Sequence, residues 1–200
     1  MYKLPTTVYV FDREYKIRDD GDFRLVLDVV TACQDVDLTQ EEQTVTALIL
    51  FYDGLESRED VLLEFDTQEL LQEAIKQMMD FISCGDKGVG HKVNYKLIDW
   101  KSDETLIVSA INPMLGDGND IRRMEYMHWW TFISYYMGIG ESVLSTVVGI
   151  RNKIIKGKKL DDYEKTFKRD NPEYFNWKNN NKTQDEINLE NDIMNLWKSD

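Results

Sequence analysis

A mainly α-helical fold is predicted for this 200-residue chain: a compact multi-helix domain with an N-terminal β-hairpin and a C-terminal amphipathic helix. Three features predict it. Apolar residues recur three and four apart through most of the sequence, the period of a helix with one buried face. Strand-like alternation is confined to residues 7–17. Two capping boxes and several glycine stops punctuate the helical stretches. The composition is 42% hydrophobic and 12% aromatic with three prolines, which suits a chain that packs a core rather than a disordered one.

Taken in order, Thr7-Val-Tyr-Val-Phe11 and Glu14-Tyr-Lys-Ile17 alternate around Asp12-Arg13, the pattern of a hairpin with one face on a core. From Asp22 the period changes, and Phe23, Val26, Leu27, Val30 and Cys33 form one helix stripe. Thr39 and Glu42 are spaced as a capping box before a second helix carrying Val45, Leu48, Ile49 and Tyr52, which Asp53-Gly54 stops. Asp66-Thr67 opens a long helix with Leu70, Leu71, Ala74, Ile75, Met78 and Ile82 inward, ending before Gly85. Residues 85–94 have no periodicity and read as a mobile linker that trypsin should cut first.

Ser102-Asp-Glu-Thr105 then starts a helix with acidic residues at the positive end of its dipole, and Pro113, Gly116 and Gly118 end it. The next predicted helix spans Ile121 to Tyr136, capped by Asn119 or Asp120, and is the most aromatic in the chain. Val143 to Ile150 follow as another apolar helix, then a basic turn from Arg151 to Lys159 and a charged helix from Leu160 to about Asp170. Residues 1–175 thus form one helical domain, and 176–200 a polar linker and a C-terminal helix opened by the capping box Thr183–Glu186.

A net charge of −13 repels phosphate backbones and argues against nucleic-acid binding. The stretch from Tyr126 to Ile150 carries glycines, a histidine and hydroxyl residues, so it reads as two buried helices rather than a membrane span. Cys33 and Cys84 sit in helical patterns without disulfide spacing, as expected in a reducing cytoplasm. Glu125 and His128 have the spacing of half a carboxylate-bridged metal site, but His91 is the only other histidine and the second half is missing. Cys84 with His91 has no orienting third group, and the glycines after Cys84 lack the order of a phosphate loop. No enzyme, cofactor or metal site is expected.

Charge is unevenly distributed. Residues 19–73 hold sixteen acidic and two basic residues, a net of −14, so the rest of the chain is close to neutral. Arg151, Lys153, Lys156, Lys158 and Lys159 are therefore candidates to meet the acidic half of a neighbouring copy, head to tail, the alternative being two solvated surfaces. Trp129 and Trp130 are adjacent on a predicted helix and point about 100° apart. Both rings do not easily enter one core seam, which leaves at least one to line a groove or a subunit contact.

Gly21-Asp-Phe-Arg24 after the hairpin, the acidic helices, Asp99-Trp-Lys-Ser-Asp-Glu-Thr-Leu-Ile107, Met124-Glu-Tyr-Met-His-Trp-Trp-Thr-Phe132 and Gly149-Ile-Arg-Asn-Lys153 together resemble a bacteriophage family. Its members are tail assembly chaperones encoded beside the tape measure gene in long-tailed phages of Gram-positive hosts. The resemblance covers residues 5–170, and its most specific part is His128-Trp-Trp-Thr-Phe132. It implies a non-enzymatic protein of the infected host's cytoplasm, absent from the mature virion. Such a protein binds the tape measure protein until tail tube protein polymerises around it, as a homo-oligomer or together with a second tail chaperone. Helix-in-groove binding is the expected mode, with Met127, Trp129, Trp130, Phe132 and Tyr136 as client contacts and Ile193 and Trp197 docking on a neighbour. The alternative is a minor structural protein of the virion, a tail connector or completion protein.

Overall fold

Val8 and Val10 are buried while Thr7 and Tyr9 face outward, so the alternation of the first strand translates directly into a one-sided hairpin. The computed structural model describes residues 3–35, 37–85 and 97–176. In it β1 (Thr7–Val10) pairs antiparallel with β2 (Arg13–Lys16), Val10 opposite Arg13 and Val8 opposite Tyr15. The Ile17 N–H donates to the Thr6 carbonyl at 2.9 Å, one step beyond the strands. On the outer side of β2 the Asp53 N–H donates to the Lys16 carbonyl at 3.0 Å, which covers part of that edge.

The fold is mainly α. Helix α1 (Phe23–Ala32) is capped by Asp22 and buries Phe23, Val26, Val29 and Val30. It packs on α2 (Gln40–Phe51), whose capping box pairs Thr39 and Glu42 as predicted and whose Ala47, Leu48 and Phe51 face inward. Helix α3 (Arg58–Glu64), capped by Ser57, has no counterpart in the sequence reading. It is seven residues long and buries only Val61, leaving Leu62 and Leu63 exposed, so it carries no apolar stripe to detect. Helix α4 (Gln68–Ile82) starts at Thr67 and buries Ala74, Met78, Phe81 and Ile82. Tyr52 is fully buried between α2 and α4, where its hydroxyl donates to the Ala74 carbonyl at 2.8 Å. Tyr15, Phe51 and Phe65 surround it, with ring centroids 5.0–5.6 Å away.

Helix α5 (Glu104–Ile111) runs into a 3-10 turn at Asn112–Leu115, where Pro113 ends regular α geometry. The single helix predicted from Ile121 to Tyr136 is not formed. Ile121–Arg123 make one 3-10 turn capped by Asp120, the chain then extends, and α6 begins at Trp129 and ends at Met137. The reason is tertiary: Met127 exchanges its backbone hydrogen bonds with residues 22 and 23 instead of with a helical neighbour.

Helix α7 (Val143–Ile155) is followed by α8 (Asp162–Asp170) and a 3-10 turn at Pro172–Phe175. The chain divides into two compact units, residues 1–93 with 103–146 and residues 94–102 with 147–200. Within the second, α8 opens with a capping box of Asp161 and Glu164, and Lys153 of α7 pairs with Glu164 at 2.5 Å. The predicted linker beyond Gly85 and the predicted C-terminal helix, with Ile193 and Trp197, lie outside the described residues. Among the described residues no helix is long and apolar enough to cross a membrane.

Candidate functional site

The segments Gly21–Arg24 and Met124–Phe132 are bonded to each other. The buried Asp22 carboxylate caps α1 by accepting from the Arg24 N–H, and its other oxygen accepts from the Met127 N–H at 3.0 Å. The Phe23 N–H donates to the Met127 carbonyl at 2.9 Å. Arg24 grips the same carboxylate and the carbonyls of Ile121 and Met124. The Phe23 ring stacks on Phe132 at 4.6 Å and 10°, and Phe132 stacks on Trp129 at 5.6 Å. Gly21 has φ +77°, and a Cβ there would lie 2.7 Å from the ring of Phe81, so this position requires glycine both for its backbone and for space.

His128 caps α6. Its Nδ1 accepts from the Trp130 N–H at 3.0 Å and its Nε2–H donates to the Pro5 carbonyl at 2.9 Å, an arrangement that fixes the neutral Nε2–H tautomer. Burial holds its pKa below the ordinary histidine value, partly opposed by the Pro5 hydrogen bond. Both ring nitrogens are therefore engaged, and Glu125 is exposed in the extended stretch rather than on a helix face with it. Among the described residues no group of three or more histidine, cysteine or carboxylate side chains is placed to hold a metal ion.

The paired tryptophans have a common structural task. Trp129 donates its indole N–H to the Ile82 carbonyl at 2.8 Å, and Trp130 donates its own to the Phe81 carbonyl at 2.9 Å. They thereby bind two carbonyls of the last turn of α4, of which that of Phe81 also accepts from the Cys84 N–H. Their surroundings differ: Trp129 is fully buried, whereas Trp130 is half-buried and faces an open groove of about 420 Å3.

That groove is the candidate binding site. One wall is the hairpin, with Thr7, Val8, Tyr9 and Phe11. The other is α4, with Glu73, Gln77, Asp80 and Phe81, and Trp130 and Gly85 also line it. Tyr9 is 56% and Phe11 58% exposed, although both are large aromatics. Phe11 is the first of the two loop residues of the hairpin and has φ +51°, where glycine is favoured. An exposed aromatic held in a left-handed conformation is a local cost that the two-residue turn imposes at this position. Glu73 is already bound by Lys76 and Gln77, and no lysine or arginine lines the groove.

The structure separates the predicted contacts. Trp130 lines the groove and Tyr136 is half-buried, but Met127, Trp129 and Phe132 are at most 4% exposed and belong to the core. Their burial follows from the bonds and stacks to residues 22 and 23, which the sequence pattern does not contain. Of the predicted basic turn, Arg151 is instead inside α7 and 1% exposed. Its guanidinium donates to the carbonyls of Leu97 and Tyr174. Lys153 is committed to Glu164 and Asp161, while Lys156, Lys158 and Lys159 are exposed. The groove residues Tyr9, Phe11, Gln77 and Asp80 escaped the sequence reading. The alternation of β1 places Tyr9 outward between buried Val8 and Val10, and the turn leaves Phe11 exposed, which is the signal the sequence carries.

No curated protein and no solved structure matches the chain. A family model described as Bacteriophage Gp15 protein matches residues 2–175, and this span includes the hairpin, the Gly21–Arg24 and Met124–Phe132 segments and every residue of the groove. The chain belongs to the Bacteriophage Gp15 protein family.

Proposed function

We propose that this phage protein is a tail assembly chaperone that binds the tape measure protein, keeps it soluble and hands it to tail tube subunits as they polymerise around it. The observation that carries this reading is the open groove, where Tyr9, Phe11 and Trp130 offer aromatic surface on a chain of net charge −13. Aromatic side chains give adaptable apolar contacts, and the acidic exterior keeps a client-loaded complex from aggregating. The chain works by binding rather than by catalysis, in the cytoplasm of the infected host, and leaves before the virion is complete. Lys156, Lys158 and Lys159 supply the basic surface for contact with the acidic region 19–73 of another copy, or with a second tail chaperone.

Co-expression of the full chain with the tape measure protein encoded beside it tests the reading. The expected result is a soluble client that co-purifies with the chain, which is then missing from purified virions by mass spectrometry. A client that precipitates with or without the chain, or a chain that persists in virions at a fixed stoichiometry, overturns it.

A further inference from the structure

The Ile17-to-Thr6 hydrogen bond fixes which pairs of the hairpin are bonded to each other: 6 with 17, 8 with 15 and 10 with 13. Thr7 and Tyr9 are the intervening residues, so their backbone N–H and C=O groups point away from β2. None of these four groups has a hydrogen-bond partner among the described residues, and both residues line the groove. The outer edge of β2 differs, because the Asp53 N–H already occupies the Lys16 carbonyl. An unpaired edge beside an aromatic groove is suited to main-chain pairing, which a helix with its own hydrogen bonds satisfied does not use.

We propose that the groove is a strand-addition site. An extended segment of the client pairs with Thr7 and Tyr9, sets an apolar side chain against Trp130, and presents a lysine or arginine to Asp80. The cation is argued from charge. Glu73 and Asp80 are the charged residues of the lining, and Glu73 is already paired with Lys76. The identity of the client rests on the chaperone reading, but the extended conformation does not. Strand addition differs from the helix-in-groove mode expected from sequence, three of whose expected contacts, Met127, Trp129 and Phe132, are core residues.

The test uses fluorescein-labelled 15-residue peptides tiling the tape measure protein, with binding to the full chain read by anisotropy. Thr7→Pro deletes an outward N–H without touching a backbone bond of the hairpin, the strand position at which proline is tolerated, and removes the hydroxyl bond to Glu14, as Thr7→Val also does. Thr7→Val is its control. Binding is expected to fall at least tenfold with Thr7→Pro and to stay within twofold with Thr7→Val. Should Thr7→Pro fail to fold, the tightest peptide is N-methylated at alternate residues in the two possible registers against the unaltered chain. Strand addition predicts that one register abolishes binding and the other spares it. Equal effects of the two registers, or a folded Thr7→Pro variant that binds normally, overturn the proposal. So does the absence of any peptide binding, in which case co-expression with the whole client still judges the chaperone reading by itself. A change in the assembled mass of the client-free chain on Trp130→Ala assigns the groove to a second copy and overturns it as well.

Discussion

Replacing the two adjacent tryptophans one at a time separates their roles, because the same indole hydrogen bond is made in two different environments. Trp129 is 0% exposed, and truncation of a fully buried tryptophan to alanine costs about 3–5 kcal/mol. At about 3 °C per kcal/mol for a chain of this size, Trp129→Ala should lower the melting temperature by roughly 9–15 °C. Trp129→Phe keeps most of the ring but leaves the Ile82 carbonyl without its indole donor in a buried setting, a loss of about 1–3 kcal/mol. Trp130→Phe removes the equivalent bond to Phe81, but that carbonyl also accepts from the Cys84 N–H at 2.9 Å and the ring borders the open groove. Its cost should be about 1 kcal/mol or less. Thermal melts followed by circular dichroism, with urea titrations beside them, should rank the losses as Trp129→Ala, then Trp129→Phe, then Trp130→Phe. A Trp129→Ala variant melting within 3 °C of the unaltered chain, or Trp130→Phe costing more than Trp129→Phe, refutes the assignment of Trp129 to the core and Trp130 to the surface.

Three further outcomes are expected. Gly21→Ala combines a left-handed backbone position with a 2.7 Å clash against the buried Phe81 ring, so it should destabilise by about 2–4 kcal/mol in a urea titration; a loss below 0.5 kcal/mol (~) contradicts the packing described. Phe11→Gly should relieve the φ of +51° and raise stability by up to about 1 kcal/mol while weakening client capture, and a variant that is less stable yet binds normally removes the argument for a contact role. His128 has a folded pKa below its unfolded value of about 6.5. The unfolded chain therefore takes up the proton first, and stability should decline as pH falls from 7.5 through 6.5 toward the folded pKa. His128→Asn, which retains a capping acceptor, should flatten that decline, and an unchanged slope places its cause elsewhere.

How far the sequence disclosed this molecule depended on whether a feature was local. Alternation placed Val8 and Val10 inward, and the Thr39–Glu42 capping box and the start of α4 at Thr67 were legible because a cap and its helix lie within four residues. Residues 121–136 misled because their apolar content fits a helix. The backbone of Met127 instead bonds to residues 22 and 23, more than a hundred positions away, and no local periodicity encodes that. The same distance hid the site. The adjacent tryptophans marked one groove-lining residue, but the opposite walls come from β1 and α4, which only the tertiary fold brings together. Arg151 was misplaced for a related reason: its basic neighbours suggested a solvated turn, while the carbonyls that bury it lie at Leu97 and Tyr174.

Trp130 is expected to hold client while Trp129 holds the fold. Co-expressing the tape measure protein with the full chain, with Trp130→Ala and with Trp129→Phe, and measuring both soluble client and melting temperature, decides it. The prediction is that the unaltered chain and Trp129→Phe keep the client soluble below their melting temperatures, whereas Trp130→Ala remains folded and loses it. A folded Trp130→Ala variant that retains the client as well as the unaltered chain contradicts the central claim.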